Sequence, residues 1–162
     1  QVMRIRPSTP RTELVARVWL EGDCLFVAFG AGEKDDKLRD VVKARWFRFD
    51  YGRLVWRRVL EQRHGPPAHR AAETAHRLLA AGFPVEVADD IAEMVVTASY
   101  EPEATRWVLA CTVGQYRGWL MLEWARDDDC YDAARRIPGN RYDINLHRVV
   151  VPPVLRNGGR LR

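Results

Sequence analysis

Apolar and polar residues alternate over residues 12–20 (TELVARVWL), stop at Glu21-Gly22-Asp23, and resume over residues 24–29 (CLFVAF). Alternation of period two around a tight turn predicts a pair of strands, closed off by Gly30 and Gly32. The period then lengthens. Leu38, Val41 and Val42 fall on one helical face behind Asp35 and Asp36, acids that suit a helix N-terminus. Residues 45–59 (RWFRFDYGRLVWRRV) return to two short strands around Tyr51-Gly52. A longer helix is predicted over residues 68–82, opened by Pro66 and Pro67 and ended by Gly82. Ala68, Ala71, Ala72, Ala75, Leu78 and Leu79 form its apolar face. Residues 83–87 read as a short strand, Asp89-Asp90 opens a second short helix through Met94 and Val96, and Tyr100-Glu101-Pro102 reads as a loop.

The opening pattern then comes back. Residues 105–113 and 119–124 (TRWVLACTV and WLMLEW) predict two strands around the turn GQYRG, and Asp127-Asp128-Asp129 precedes a short helix, CYDAARRI. In the following IPGNRYDINLHRVVVPP, Gly139 suits a positive-φ turn and Asp143 opens another with Asn145. Val149, Val150 and Val151 make a strand that Pro152 stops. FDYGRLVWRRV (49–59) aligns without a gap on YDINLHRVVVP (142–152), placing Phe49 on Tyr142, Asp50 on Asp143 and Trp56 on Val149. One residue fewer in the preceding loop sets Asp40 on Asp132. The expectation is an α+β protein with two similar small units, each strand-strand-helix-strand-strand, joined by an acidic helical segment. Its parts would be a flexible lead-in (1–11), a first unit (12–59), a helical connector (60–104), a second unit (105–153) and a flexible tail (154–162).

Charge sharpens this division. Lys and Arg exceed Asp and Glu by 13 to 8 over residues 1–58 and by 10 to 6 over 105–162, whereas acids lead by 8 to 3 over 59–104. Two basic ends around an acidic middle favour a polyanionic partner. Cys24, Cys111 and Cys130 are odd in number, widely spaced and without a Cys-x-x-Cys, which fits free thiols in a reducing cytoplasm rather than a disulfide framework or a zinc site. No apolar run approaches the roughly 20 residues that span a bilayer.

IPGNRYDINLHRVVVP resembles the signature of the HARP (HepA-related protein) domain: a helix ending in a Pro-Gly turn, an aromatic-Asp pair, and a strand closing with Val-Pro. The match is good over residues 119–153 and weaker over 25–59. The first copy has Arg45-Trp46 where the second has Pro138-Gly139, and the second has Val149 where the family usually carries Trp. Such domains sit, often in tandem, beside the motors of Swi/Snf-type annealing helicases and related bacterial and phage helicases. The resemblance implies a DNA-binding module that recognises forks and single-to-double-strand junctions for a motor in the same polypeptide or a partner. GAGEKDDK lacks the second glycine and the Lys-Ser/Thr end of a phosphate-binding loop, so no motor is expected in this chain.

The densest candidate surface lies in the first copy. Lys43, Arg45, Arg48, Arg53, Arg57 and Arg58 fall within 16 residues against the single acid Asp50, interleaved with Trp46, Phe47, Phe49, Tyr51 and Trp56. Arginines displace counterions from phosphates and exposed aromatics stack on unpaired bases. Arg57 and Trp56 should lie on opposite strand faces, one toward nucleic acid and one toward the core. The second copy offers Arg135, Arg136, Asn140, Arg141 and Arg148. Trp19, Trp107, Trp119 and Trp124 are expected in the core, the Asp35-Asp36 and Asp127–Asp129 clusters as helix caps, and His69 and His76 at the surface. No nucleophile-base constellation stands out, so neither enzymatic activity nor a cofactor or metal is expected. The other reading is a protein-interaction module of a nucleic-acid-processing complex, its basic faces docking an acidic partner.

Overall fold

The computed structural model describes residues 1–153; the tail expected at 154–162 lies outside them. The fold is α+β, in two compact units that divide between Glu103 and Ala104.

In the first unit, β1 (Val2–Ile5), β2 (Ala16–Glu21), β3 (Cys24–Phe29), β4 (Arg48–Asp50), β5 (Val55–Val59) and β6 (Val85–Ala88) form one sheet in the order β1-β6-β2-β3-β5-β4. Only the β2–β6 pair is parallel. Helices α1 (Asp36–Lys43), α2 (Pro67–Ala80) and α3 (Asp89–Thr97) bury one apolar cluster with one face of this sheet. Asp35 caps α1, its carboxylate accepting the amides of Lys37 and Leu38. Ala71, Ala72 and Ala75 are buried, and the small side chains let α2 lie close on Leu25 and Val27.

Two of the expected boundaries are corrected here. The lead-in contributes β1, paired along β6 with Arg4 opposite Glu86 and their side chains 3.0 Å apart. Val2 and Met3 are exposed, so the strand lacks the apolar alternation that would have marked it. Nor does residue 60 begin a separate connector. Strand β6 lies between β1 and β2, and Leu78, Phe83 and Ile91 share the cluster of Leu25, Val27 and Phe29. The acidic segment is thus a layer of the first unit.

The second unit has β7 (Arg106–Ala110), β8 (Leu120–Trp124), α4 (Tyr131–Arg135), β9 (Arg141–Asp143) and β10 (Arg148–Val151), its antiparallel strands ordered β7-β8-β10-β9. The same order runs through β2-β3-β5-β4, all antiparallel. The agreement extends to single residues. Trp56 lies between Val27 and Phe49, as Val149 lies between Leu122 and Tyr142. Asp50 Oδ1 accepts the amides of Gly52 and Arg53, and Asp143 Oδ1 those of Asn145 and Leu146. Four residues after each aspartate the backbone turns left-handed without a glycine, at Leu54 (φ 56°) and His147 (φ 53°).

The correspondence also covers the Pro-Gly turn. Gly139 has φ 79°, and Trp46, its equivalent in ungapped register, has φ 63°. A bulky residue there bears strain of about 1–3 kcal/mol, offset by what the indole touches. Gly139 has no such compensation to offer a side chain, since a Cβ would lie 2.9 Å from Pro152 Cγ. Gly139→Ala is expected to lower the stability of the second unit by about 1–3 kcal/mol, read as a fall in denaturant midpoint. An unchanged midpoint would mean that the turn can rearrange. No helix among the described residues is long and apolar enough to cross a membrane.

Candidate nucleic-acid interface

Helices cover one face of the first sheet. On the other, a small cluster of Phe26, Ala28 and Val55 with Trp19 and Cys24 is built from strand residues alone. Successive pairings place one residue from each of four strands in a row across this outer face: Trp19 on β2, Phe26 on β3, Arg57 on β5 and Arg48 on β4. The row begins with two stacked rings, centroids 5.3 Å apart and planes 16° off parallel. It ends with two exposed arginines.

Each end is held differently. Trp19 Nε1 donates to Glu21 Oε2 at 2.8 Å, and Arg53 reaches the same oxygen at 3.0 Å. The indole N–H first, then Arg53, holds the Glu21 carboxyl below its ordinary pKa. The Arg53 guanidinium lies 4.6 Å from the Phe26 ring centre and that of Arg17 lies 5.6 Å from the Trp19 ring. Phe26 is therefore covered and supports Trp19 from beneath. At the other end Arg48 and Arg57 are direct cross-strand neighbours, and neither has an acidic partner among the described residues. Like charges directly opposite each other destabilise a sheet. Here the repulsion is left standing at an exposed edge.

The expected basic set of the first unit divides. Lys43, Arg48, Arg53 and Arg57 are exposed, while Arg58, Arg45 and Trp46 are not outer-surface residues. Arg58 is 3% exposed and forks onto Glu103 at 3.0 and 2.5 Å. Its guanidinium lies 5.3 Å from the centre of the Trp46 ring, which anchors the strained turn. Arg45 is half-buried, with its Nε and Nη1 enclosed. The physical reason is alternation: Trp56 faces the helices, and Arg58, two residues on, faces the same way. Arg70 joins this interior network, donating to the carbonyls of His64 and Glu101 and pairing with Glu73 at 3.3 Å. Burial lowers the Arg70 pKa, Glu73 and Glu103 oppose that, and Arg58 and Arg45 add to the fall. His64 Nδ1 accepts the Glu61 amide, and burial, then Arg58, lowers its pKa.

In the second unit Arg135, Arg136 and Arg141 are exposed. Asn140 is spent on the turn, its amide donating to the carbonyls of Arg135 and Ile137, and Arg148 pairs with Glu123 at 3.2 Å. Both are half-buried and already hydrogen-bonded within the unit. The arginine pair has no counterpart, because the residue equivalent to Arg57 is the buried Val150. The Asp127–Asp129 cluster caps only in part. Asp129 accepts the Tyr131 amide, whereas Asp128 pairs with Arg106 and Thr105. His69 and His76 are half-buried, His69 accepting the Glu101 amide and His76 meeting the Tyr100 hydroxyl. Among the described residues no three His, Cys, Asp or Glu side chains gather as a metal site.

Sequence reasoning missed Arg17, Trp19 and Phe26. Each was visible as a strand residue, but only the register across strands puts Trp19 and Phe26 in line with Arg57. Compared with known proteins, the chain matches no family model, no curated protein and no solved structure.

Proposed function

We propose that this protein is a DNA-binding module that recognises forks or single-to-double-strand junctions on behalf of a helicase or remodelling ATPase, carrying no chemistry of its own. The observation that carries the reading is the row Trp19, Phe26, Arg57, Arg48, which sets the half-buried Trp19 ring, stacked on the covered Phe26, in line with two exposed cations that have no acidic partner among the described residues. Single strands are bound by that combination of stacking surface and phosphate-neutralising charge. The HARP resemblance of residues 119–153 supports the junction and the motor. The shared strand order and paired turns support two copies of one ancestral unit, the first specialised for binding and the second retaining the Pro-Gly backbone.

The test compares a fork, a single strand and a blunt duplex at increasing salt. The fork and the single strand are expected to bind more tightly than the duplex. Arg17, Arg48 and Arg57 acting together would give a log–log salt slope of about −2, at roughly −0.7 per single-strand phosphate contact. Equal affinity for all three DNAs would remove the junction, and no binding at low salt would remove nucleic acid altogether, leaving a protein-docking module.

A further inference from the structure

The edge strand β4 also borders the helix-covered side of the sheet. There a groove of about 510 Å³ opens between α1 and the β4–β5 hairpin. Four aromatic side chains line it: the buried Phe47, and Phe49, Tyr51 and Trp56, whose rings meet edge to face. The centre of the Phe49 ring is 5.1 Å from that of Trp56 and 5.0 Å from that of Tyr51, with interplanar angles of 72° and 73°. Trp56 packs against the core, Phe49 is half-buried, and Tyr51 at the mouth is 83% exposed. A wall of rings ending in one so exposed fits a flat, polarisable guest.

The charges around the groove identify the rest of that guest. Two of its acids are paired, Asp35 with Arg11 at 3.3 Å while capping α1 and Asp36 with Arg39 at 3.3 Å, and Glu33 accepts the Ala31 amide but keeps its charge, one carboxylate against three cations. Its cations are not all engaged. Lys34, Lys43 and Arg48 have no acidic partner among the described residues. Aromatic cages elsewhere accept quaternary ammonium groups, but a cation entering here would meet three uncommitted positive charges. A flat ring carrying an anion meets both features.

We propose that the groove takes one unpaired nucleobase of the bound strand, stacked on Tyr51 and Phe49, with an adjoining phosphate held by Lys43 and Arg48. Arg48 belongs both to the outer row and to the groove, so a strand crossing the β4 edge passes from one to the other. The equivalents of Phe49, Tyr51 and Trp56 in the second unit are Tyr142, Ile144 and Val149, so this aromatic triad belongs to the first unit alone. The inference rests on the DNA-binding reading and adds to it a pocket for a base.

Fluorescence anisotropy on the full chain tests it, using a short labelled oligothymidylate and an abasic strand of the same length and charge. Wild type is expected to prefer the thymidine strand by about tenfold, the lower end of what one stacked base contributes. Tyr51→Ala, at a position too exposed to support the fold, should erase that preference and leave abasic binding unchanged. Lys43→Ala should weaken binding of both strands. If wild type binds both strands equally, or Tyr51→Ala keeps the full preference, the groove holds no base and the outer-row reading stands. Failure of wild type to bind either strand would overturn both.

Discussion

Glu103→Ala is expected to destabilise the first unit by about 3–5 kcal/mol, the cost of leaving a buried charge without its partner. Arg58 and Glu103 have side-chain exposures of 3% and 2% and form a two-pronged contact. Alanine at 103 removes both acceptors from a guanidinium that cannot deprotonate or reach water. Arg70 and its partner Glu73 lie beside it, and Glu73 also accepts the Glu103 amide. The loss therefore spreads through a connected network. Urea unfolding followed by tryptophan fluorescence measures it. The double replacement Arg58→Met/Glu103→Leu should cost far less than either single change, because exchanging a buried pair for apolar groups of similar volume is often neutral. A Glu103→Ala loss under about 1 kcal/mol would mean the pair behaves like an exposed one.

The contrast between Arg57 and Arg58 shows how far the sequence carries. Strands, turns and helix starts are local events, and alternation, Gly22, Asp35 and Asp143 announce them in the right order. Placing Trp56 in the core was likewise legible, and period two then obliges Arg58 to follow it inside. Charge composition alone groups Arg58 with Arg57; the face to which each belongs separates them. Other features depend on partners distant in the chain. Strand β1 exists because Val85–Ala88 lies free beside it, and nothing within residues 1–11 encodes that pairing. The left-handed Trp46 lacks the usual glycine marker, and its guanidinium neighbour comes from β5. The outer row needs the registers of four strands before Trp19 and Arg48 are seen in line.

Arg57→Glu should separate binding from stability in opposite directions. Arg57 stands directly opposite Arg48, with no acid to neutralise either among the described residues. A glutamate at 57 converts a cross-strand repulsion into an attraction of about 0.2–1 kcal/mol, so the variant should unfold at a slightly higher denaturant concentration than wild type. The same change removes one phosphate contact, engages Arg48 internally and places a negative charge in the row. Single-strand affinity at low salt should fall roughly tenfold to a hundredfold, or about 1.4–2.8 kcal/mol, and the salt slope should shrink by about 1.4, two contacts at roughly 0.7 each. Arg58→Glu should act in the opposite sense, setting two carboxylates together in the interior and unfolding the first unit before any binding can be read. Residues kept for binding at a cost to the fold show this signature, since function tolerates local instability that packing alone would remove. A variant at 57 that loses stability while holding its affinity would place the nucleic-acid surface elsewhere and make Arg48 and Arg57 merely a solvated edge.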